Sequence, residues 1–167
     1  MPAKRILRAV LSLGICLFAG YIGSLYAIPL IPTWFASLSK PGFIPADLDI
    51  IPLGLIVYAL FGLALDFIWH ADPGNSKDKT FCLFLFFFAL ILSVVWVYVF
   101  FGLRSPLVGF ITIIMLFAAL FSTIFQALRV SVGASLLLVP NLVISVIIAY
   151  ANYIILIANP HLPLFIA

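Results

Sequence analysis

Phe81–Gly102 reads FCLFLFFFALILSVVWVYVFFG, with no charged residue from end to end. About 20 such residues, rising ~1.5 Å each in a helix, cross the ~30 Å hydrocarbon core of a bilayer. Working outward, four more runs of this kind stand at roughly 7–28, 50–69, 107–128 and 135–157. Together they predict an all-α membrane protein, a single five-transmembrane-helix bundle over residues 1–167. Composition agrees: 66% of residues are hydrophobic, 8% are charged and the mean hydropathy is +1.38. Soluble domains carry about 25% charged residues. The spans leave no room for a soluble domain, which excludes a water-soluble enzyme.

The few cations set an orientation. Lys4, Arg5 and Arg8 precede span 1, Lys77 and Lys79 fall between spans 2 and 3, and Arg129 falls between spans 4 and 5. All of these lie on one side of the membrane, leaving only Lys40 and Arg104 on the other. The positive-inside bias puts the N-terminus in the cytoplasm, with loop 33–49 and the C-terminus outside. The expected location is a bacterial inner membrane. The net charge of +3 is then a topology signal, and no basic run points to nucleic acid. The N-terminal cations resemble the start of a signal peptide. The apolar stretch that follows is longer than a signal core and lacks an A-x-A site, so a retained helix is expected. Cys16 and Cys82 have no Cys or His at ligand spacing and read as small packing residues.

The longest connection, 33–49, contains Leu38-Ser-Lys-Pro-Gly-Phe-Ile-Pro45. Loops of this length are functional or disordered. Trp34, Phe35, Leu38, Phe43, Ile44 and Leu48 are apolar, and Pro41 and Pro45 reduce the entropy lost on ordering. An ordered lid on the helix ends is expected, with Pro29 and Pro32 ending or kinking helix 1 before it. Within the spans, Gly20-x-x-Gly23 and Ala19-x-x-x-Gly23 permit close helix approach, as do Ala118-x-x-x-Ser122 and Ala89-x-x-x-Ser93. The last of these is expected to meet a partner helix in a homodimer. Asp66 and His70 share a helix face and could pair. Pro140 interrupts the fifth span, and Asn141 and Asn152 are polar groups at membrane depth, suited to interhelical hydrogen bonds or to a ligand.

These pieces in order resemble the TspO/MBR family of tryptophan-rich sensory proteins and translocator proteins. Beside the family's first-loop motif Trp-Tyr-x-x-Leu-x-Lys-Pro-x-Trp-x-Pro-Pro, this stretch has Trp34, Leu38, Lys40, Pro41 and Pro45 in place, with Phe35, Phe43 and Ala46 at the Tyr, Trp and last Pro positions. Its Pro-x-Trp-x-x-x-Tyr-x-x-x-Gly-x-Ala is matched by Pro52, Tyr58, Gly62 and Ala64, with Gly54 in the tryptophan position. Ser93, Trp96, Phe100, Phe101 and Gly102 follow its third motif; Leu137, Leu138, Pro140, Asn152, Ile155 and Asn159 follow its last. Where the family pattern has tryptophan, this chain has Phe43, Gly54 and Ile144; Ser93 replaces an asparagine and Asn141 a tyrosine. The cholesterol-type Leu/Val…Tyr…Lys/Arg pattern is absent after Tyr150 and Tyr153.

The resemblance implies a pocket between the helices beneath the first loop, taking porphyrins, sterols or aromatic drugs. The expected ligand-binding residues are Trp34, Phe43, Tyr58, Ser93, Trp96, Phe100 and Asn141, with Lys40, Pro41 and Pro45 in the lid. No cofactor is required, and a tetrapyrrole enters only as a ligand. Light-dependent porphyrin breakdown is not expected without the indoles at positions 54 and 144. The alternatives are a proton-coupled transporter using Asp66, or a structural membrane partner with no ligand.

Overall fold

A computed structural model of the chain describes residues 2–44, 50–72, 74, 76–160 and 162, leaving undescribed the side chains of residues 2–4, 50 and 51. The described residues form five long helices and no strand: α1 (Pro2–Ala27), α2 (Ile50–His70), α3 (Ser76–Val97), α4 (Pro106–Val130) and α5 (Val132–Ala158). Each is long and apolar enough to span a membrane. The protein is a multi-pass integral membrane protein. α1 packs on α2 and α3, α2 on α5, α5 on α4 and α4 on α3, closing a ring in the order 1-2-5-4-3.

Lipid is as apolar as the side chains, so close packing and polar contacts hold such a bundle together. Gly62 supplies the first: a Cβ there would sit 2.8 Å from the Leu13 Cα, so α1 and α2 touch almost backbone to backbone. Gly20 likewise leaves room for the Tyr58 ring, which a Cβ there would strike, while Gly23 stands at ordinary contact distance from Val97. Ala64, Leu65, Cys82, Phe86, Ala89, Leu120, Ala134 and Leu138 fill the centre of the ring. Phe18, Phe84, Ile91, Phe125, Leu136 and Ile157 face outward, where lipid would lie.

Three expectations need correction. Helix 1 does not stop at residue 28. It passes through a 3₁₀ turn (Ile28–Leu30) and a π turn (Ile31–Phe35), with Ala36 and Ser37 still helical. Pro29 and Pro32 cannot donate backbone hydrogen bonds, and the helix answers by changing its bonding step rather than ending. The Thr33 hydroxyl donates to the Pro29 carbonyl at 3.1 Å. Trp34 and Phe35 are therefore helical, and the described part of the loop is 38–44; Pro45, Ala46 and Leu48 lie outside the described residues.

Second, Lys77 and Lys79 are in the first turn of α3 and Arg129 in the last turn of α4, not in connections. Lys79 Nζ donates to the Trp69 and Ala71 carbonyls at 2.8 and 2.9 Å, capping the end of α2. The link from α4 to α5 is Ser131 alone, in extended conformation, whose hydroxyl accepts from Ala134 N–H at 3.4 Å. Third, Ala89 and Ser93 are buried within the chain's own bundle. The small-residue stripe of α3 serves intrachain packing and is not available to a second copy.

Candidate functional site

Between the helices lies a partly open cavity of about 580 Å³ whose lining comes from all five helices and from the first loop, with exposed Tyr21, Leu55 and Ile147 on it. Gly20 and Gly23 bring α1 up to it, and Tyr58 and Phe61 enter from α2. Trp96 and Phe100 come from α3 and the π turn at its end (Tyr98–Gly102), and Ile113 and Leu116 from α4. From α5 come Asn141, Ile144, Ser145 and Asn152. Among the described residues, the lining contains no Asp, Glu, Lys or Arg. Mostly apolar walls with a few polar groups are the usual make-up of a small-molecule site between helices.

Six of the seven residues expected at a ligand site line this cavity: Phe43, Tyr58, Ser93, Trp96, Phe100 and Asn141. Trp34 does not. Its ring meets Phe100 edge-on at 5.5 Å (67°) and Phe101 at 6.3 Å, buttressing the wall from behind, while its neighbour Phe35 lines the space. The π turn, absent from the expectation of a loop at this point, decides which of the two side chains points where.

Phe43 is half exposed at the roof and stacks on Tyr150 of α5 at 5.8 Å (12°). Lys40 is not a cavity residue: its ammonium donates to the Phe35, Ala36 and Leu38 carbonyls at 2.8, 3.2 and 3.3 Å. It caps the carbonyl end of helix 1, where a cation is favoured. Pro41 is buried beside it. The loop is fixed to α5 by Asn159, whose Oδ1 accepts from Ser39 N–H and whose Nδ2 donates to Ser39 carbonyl, both at 3.0 Å.

Inside, the polar groups are largely satisfied by one another. Ser93 Oγ donates to the Leu90 carbonyl at 2.7 Å and lies 3.3 Å from Tyr58 Oη. Asn152, with its amide oriented to suit its surroundings, donates to the Pro106 carbonyl at 2.9 Å and accepts from Trp96 Nε1 at 3.2 Å, tying α5 to α4 and α3. Asn141 Nδ2 donates to the Val57 carbonyl at 3.2 Å, tying α5 to α2. Asn141 Oδ1 is buried and has no partner among the described residues.

Sequence reasoning missed Phe35, Phe61, Ser145 and Asn159. A signal existed for the last two: Asn141, Ser145, Asn152 and Asn159 recur at steps of four and seven along an otherwise apolar helix and its C-cap. That is one face. Asp66 and His70 do pair, with Oδ1 and Nδ1 3.1 Å apart, but neither lines the cavity. Among the described residues, no group of three or more His, Cys, Asp or Glu could hold a metal ion.

A five-helix membrane protein with an apolar chamber under its first loop is thus the class that fold and site define. Within it, a sequence profile of the TspO/MBR family matches residues 12–157, and the chain belongs to that family. It is 34% identical over 161 residues to the tryptophan-rich protein TspO of Chlorobaculum tepidum, covering 94% of this chain and 99% of that one. The tryptophan-rich protein TspO of Archaeoglobus fulgidus is 36% identical over 138 residues, covering 82% and 87% of the two chains. The translocator protein of Ovis aries is 29% identical over 134 residues, covering 80% and 79%.

Proposed function

We propose that the protein binds a small, mainly apolar ligand of tetrapyrrole or sterol type between its helices, for sensing or translocation. The observation that carries this reading is the chamber of about 580 Å³, whose described lining has no Asp, Glu, Lys or Arg and includes Phe43 and Ile44 of the first loop. The proposed ligand contacts are Phe43, Tyr58, Ser93, Trp96, Phe100 and Asn141, with Trp34, Lys40 and Pro41 shaping the roof. The proposed role is binding, without chemistry. In the proposed topology the N-terminus is cytoplasmic and the loop and C-terminus face outward, in a bacterial inner membrane. A homodimer belongs to the same reading, through the outward face of α3 carrying Phe84, Phe88 and Ile91, which are exposed in the single chain.

Trp96 is a reporter built into the wall. Titrating purified protein with a panel of tetrapyrroles and sterols should quench or shift its emission at saturable stoichiometry, and Trp96→Phe should reduce that signal, with Trp34 behind the wall contributing the rest. A panel without one saturable binder would refute the reading.

A further inference from the structure

The polar groups of the chamber differ in what they have left to offer. Most donors hold a partner: one of the two N–H of Asn141 Nδ2 bonds the Val57 carbonyl, Ser93 Oγ bonds Leu90, Ser145 Oγ bonds Leu142 at 2.7 Å, and Trp96 Nε1 bonds Asn152. Backbone N–H groups inside the helices are spent on the helices. Among the described side chains facing the interior, Tyr58 holds the one hydroxyl proton not given to a carbonyl or amide oxygen, and it lies against Ser93. Tyr21 also lines the space, but at an exposed rim.

Acceptors, in contrast, are in surplus. Asn141 is only 3% exposed, lines the chamber, and its Oδ1 has no partner among the described residues. The oxygens of Ser93 and Ser145, each with its proton donated away, keep lone pairs. An unmet buried acceptor costs free energy that a ligand donor recovers. An anion would find no counter-charge among the described lining residues, and the ammonium of Lys40 is held by three helix-end carbonyls.

Building on the ligand-binding reading above, we infer that the chamber selects a neutral, mainly apolar molecule bearing a hydroxyl or N–H donor, which bonds Asn141 Oδ1, over carboxylates and carbonyl compounds of the same skeleton. A carbonyl oxygen placed at Asn141 Oδ1 would set two acceptors face to face. A carboxylate would be desolvated with nothing to replace its water. A ligand with acidic side groups is taken only with those groups left outside the apolar walls.

The test uses three probes on one flat skeleton: 1-pyrenemethanol, 1-pyrenecarboxaldehyde and 1-pyrenecarboxylate. Binding is read by energy transfer from Trp96 to pyrene, corrected for partition into protein-free micelles. Wild-type protein should hold the alcohol at least about tenfold more tightly than either partner, the worth of one hydrogen bond to a buried acceptor. Asn141→Leu should bring the alcohol down to the level of the aldehyde and leave the aldehyde within about twofold. Equal binding of the three by wild type, or a preference that survives Asn141→Leu, overturns the inference while leaving the ligand-binding reading intact. Failure of all three, together with the tetrapyrrole and sterol panel, overturns both. The wild-type comparison decides the matter even where Asn141→Leu does not fold.

Discussion

Ser39 and Asn159, 120 positions apart, exchange two hydrogen bonds of 3.0 Å through one amide side chain, and so join the roof of the chamber to the end of α5. The same Nδ2 reaches the Ile155 carbonyl at 2.8 Å, which holds the amide in place. Asn159→Ala removes both links and leaves the Ser39 backbone groups to find other partners. Two hydrogen bonds at ~0.5–1.5 kcal/mol each give about 1–3 kcal/mol of local stability lost. Hydrogen exchange should show protection falling at Ser39 and its neighbours while α4 is unchanged. Any bound ligand should leave faster. Unaltered exchange at Ser39 would mean that Leu38 and Pro41, buried against the bundle, hold the roof by themselves.

The missing indoles make a second prediction. Phe43, Gly54 and Ile144, the three positions where the family pattern has tryptophan, all line the chamber. Lost stacking and one lost amide at Ser93 sum to ~2–6 kcal/mol. This protein is expected to bind porphyrin roughly 10- to 10⁴-fold more weakly than a tryptophan-complete relative. It is also expected to give no light-dependent breakdown. A Cβ at Gly54 meets nothing within 4 Å, so Gly54→Trp has open space to enter. With Ile144→Trp it should recover about 1–3 kcal/mol, or roughly 5- to 150-fold in affinity by calorimetry. No gain would assign recognition to other groups.

Glycine packing gives a third. Gly62→Ala pushes a methyl toward the Leu13 backbone, which cannot swing aside as a side chain can. Overpacking of this kind costs about 1–3 kcal/mol. Gly14→Ala, with nothing within 4 Å, should be neutral or should stabilise the helix by ~0.5–1 kcal/mol. Thermal unfolding in detergent should separate the two; matching melting temperatures would refute the close approach of α1 and α2.

Ala89→Phe belongs with these, because Ala89 is fully buried. The substitution should lower the melting temperature of the chain whatever its oligomeric state. A variant that keeps the wild-type melting temperature but loses association by light scattering would return the α3 stripe to an interface.

Orientation is open to a direct measurement. Cys16 and Cys82 are fully buried, so labelling background should be low. A cysteine at exposed Ser39 should react with a membrane-impermeant reagent from outside, and one at exposed Ser76 should not. The reverse pattern inverts the proposed topology.

The number of helices was legible because an apolar run of membrane length admits little else, and Phe81–Gly102 is typical of the five. Helix ends were less so. Hydropathy fades where Lys77 and Lys79 enter α3, although the backbone is already helical there. Pro29 and Pro32 carry a stop signal that the surrounding packing overrides by 3₁₀ and π turns. The site was legible mainly through the resemblance, which carries positional information that composition lacks. Trp34 shows the limit: sequence names the residue, but a change in helical pitch decides whether it or Phe35 meets the chamber. The capping role of Lys40 depends on carbonyls exposed only because helix 1 ends where it does.

Ser131 has a consequence for how the chain enters a membrane. One extended residue spans only about 3.5 Å, too little for α5 to wait in water while α4 settles in lipid. A link this short favours insertion of the two as an antiparallel hairpin. Asn152 would be a burden on a lone helix in hydrocarbon, but it arrives with the Pro106 carbonyl of α4 within reach. The short link thus acts during biogenesis, letting polar residues needed in the finished wall cross the insertion barrier already accompanied.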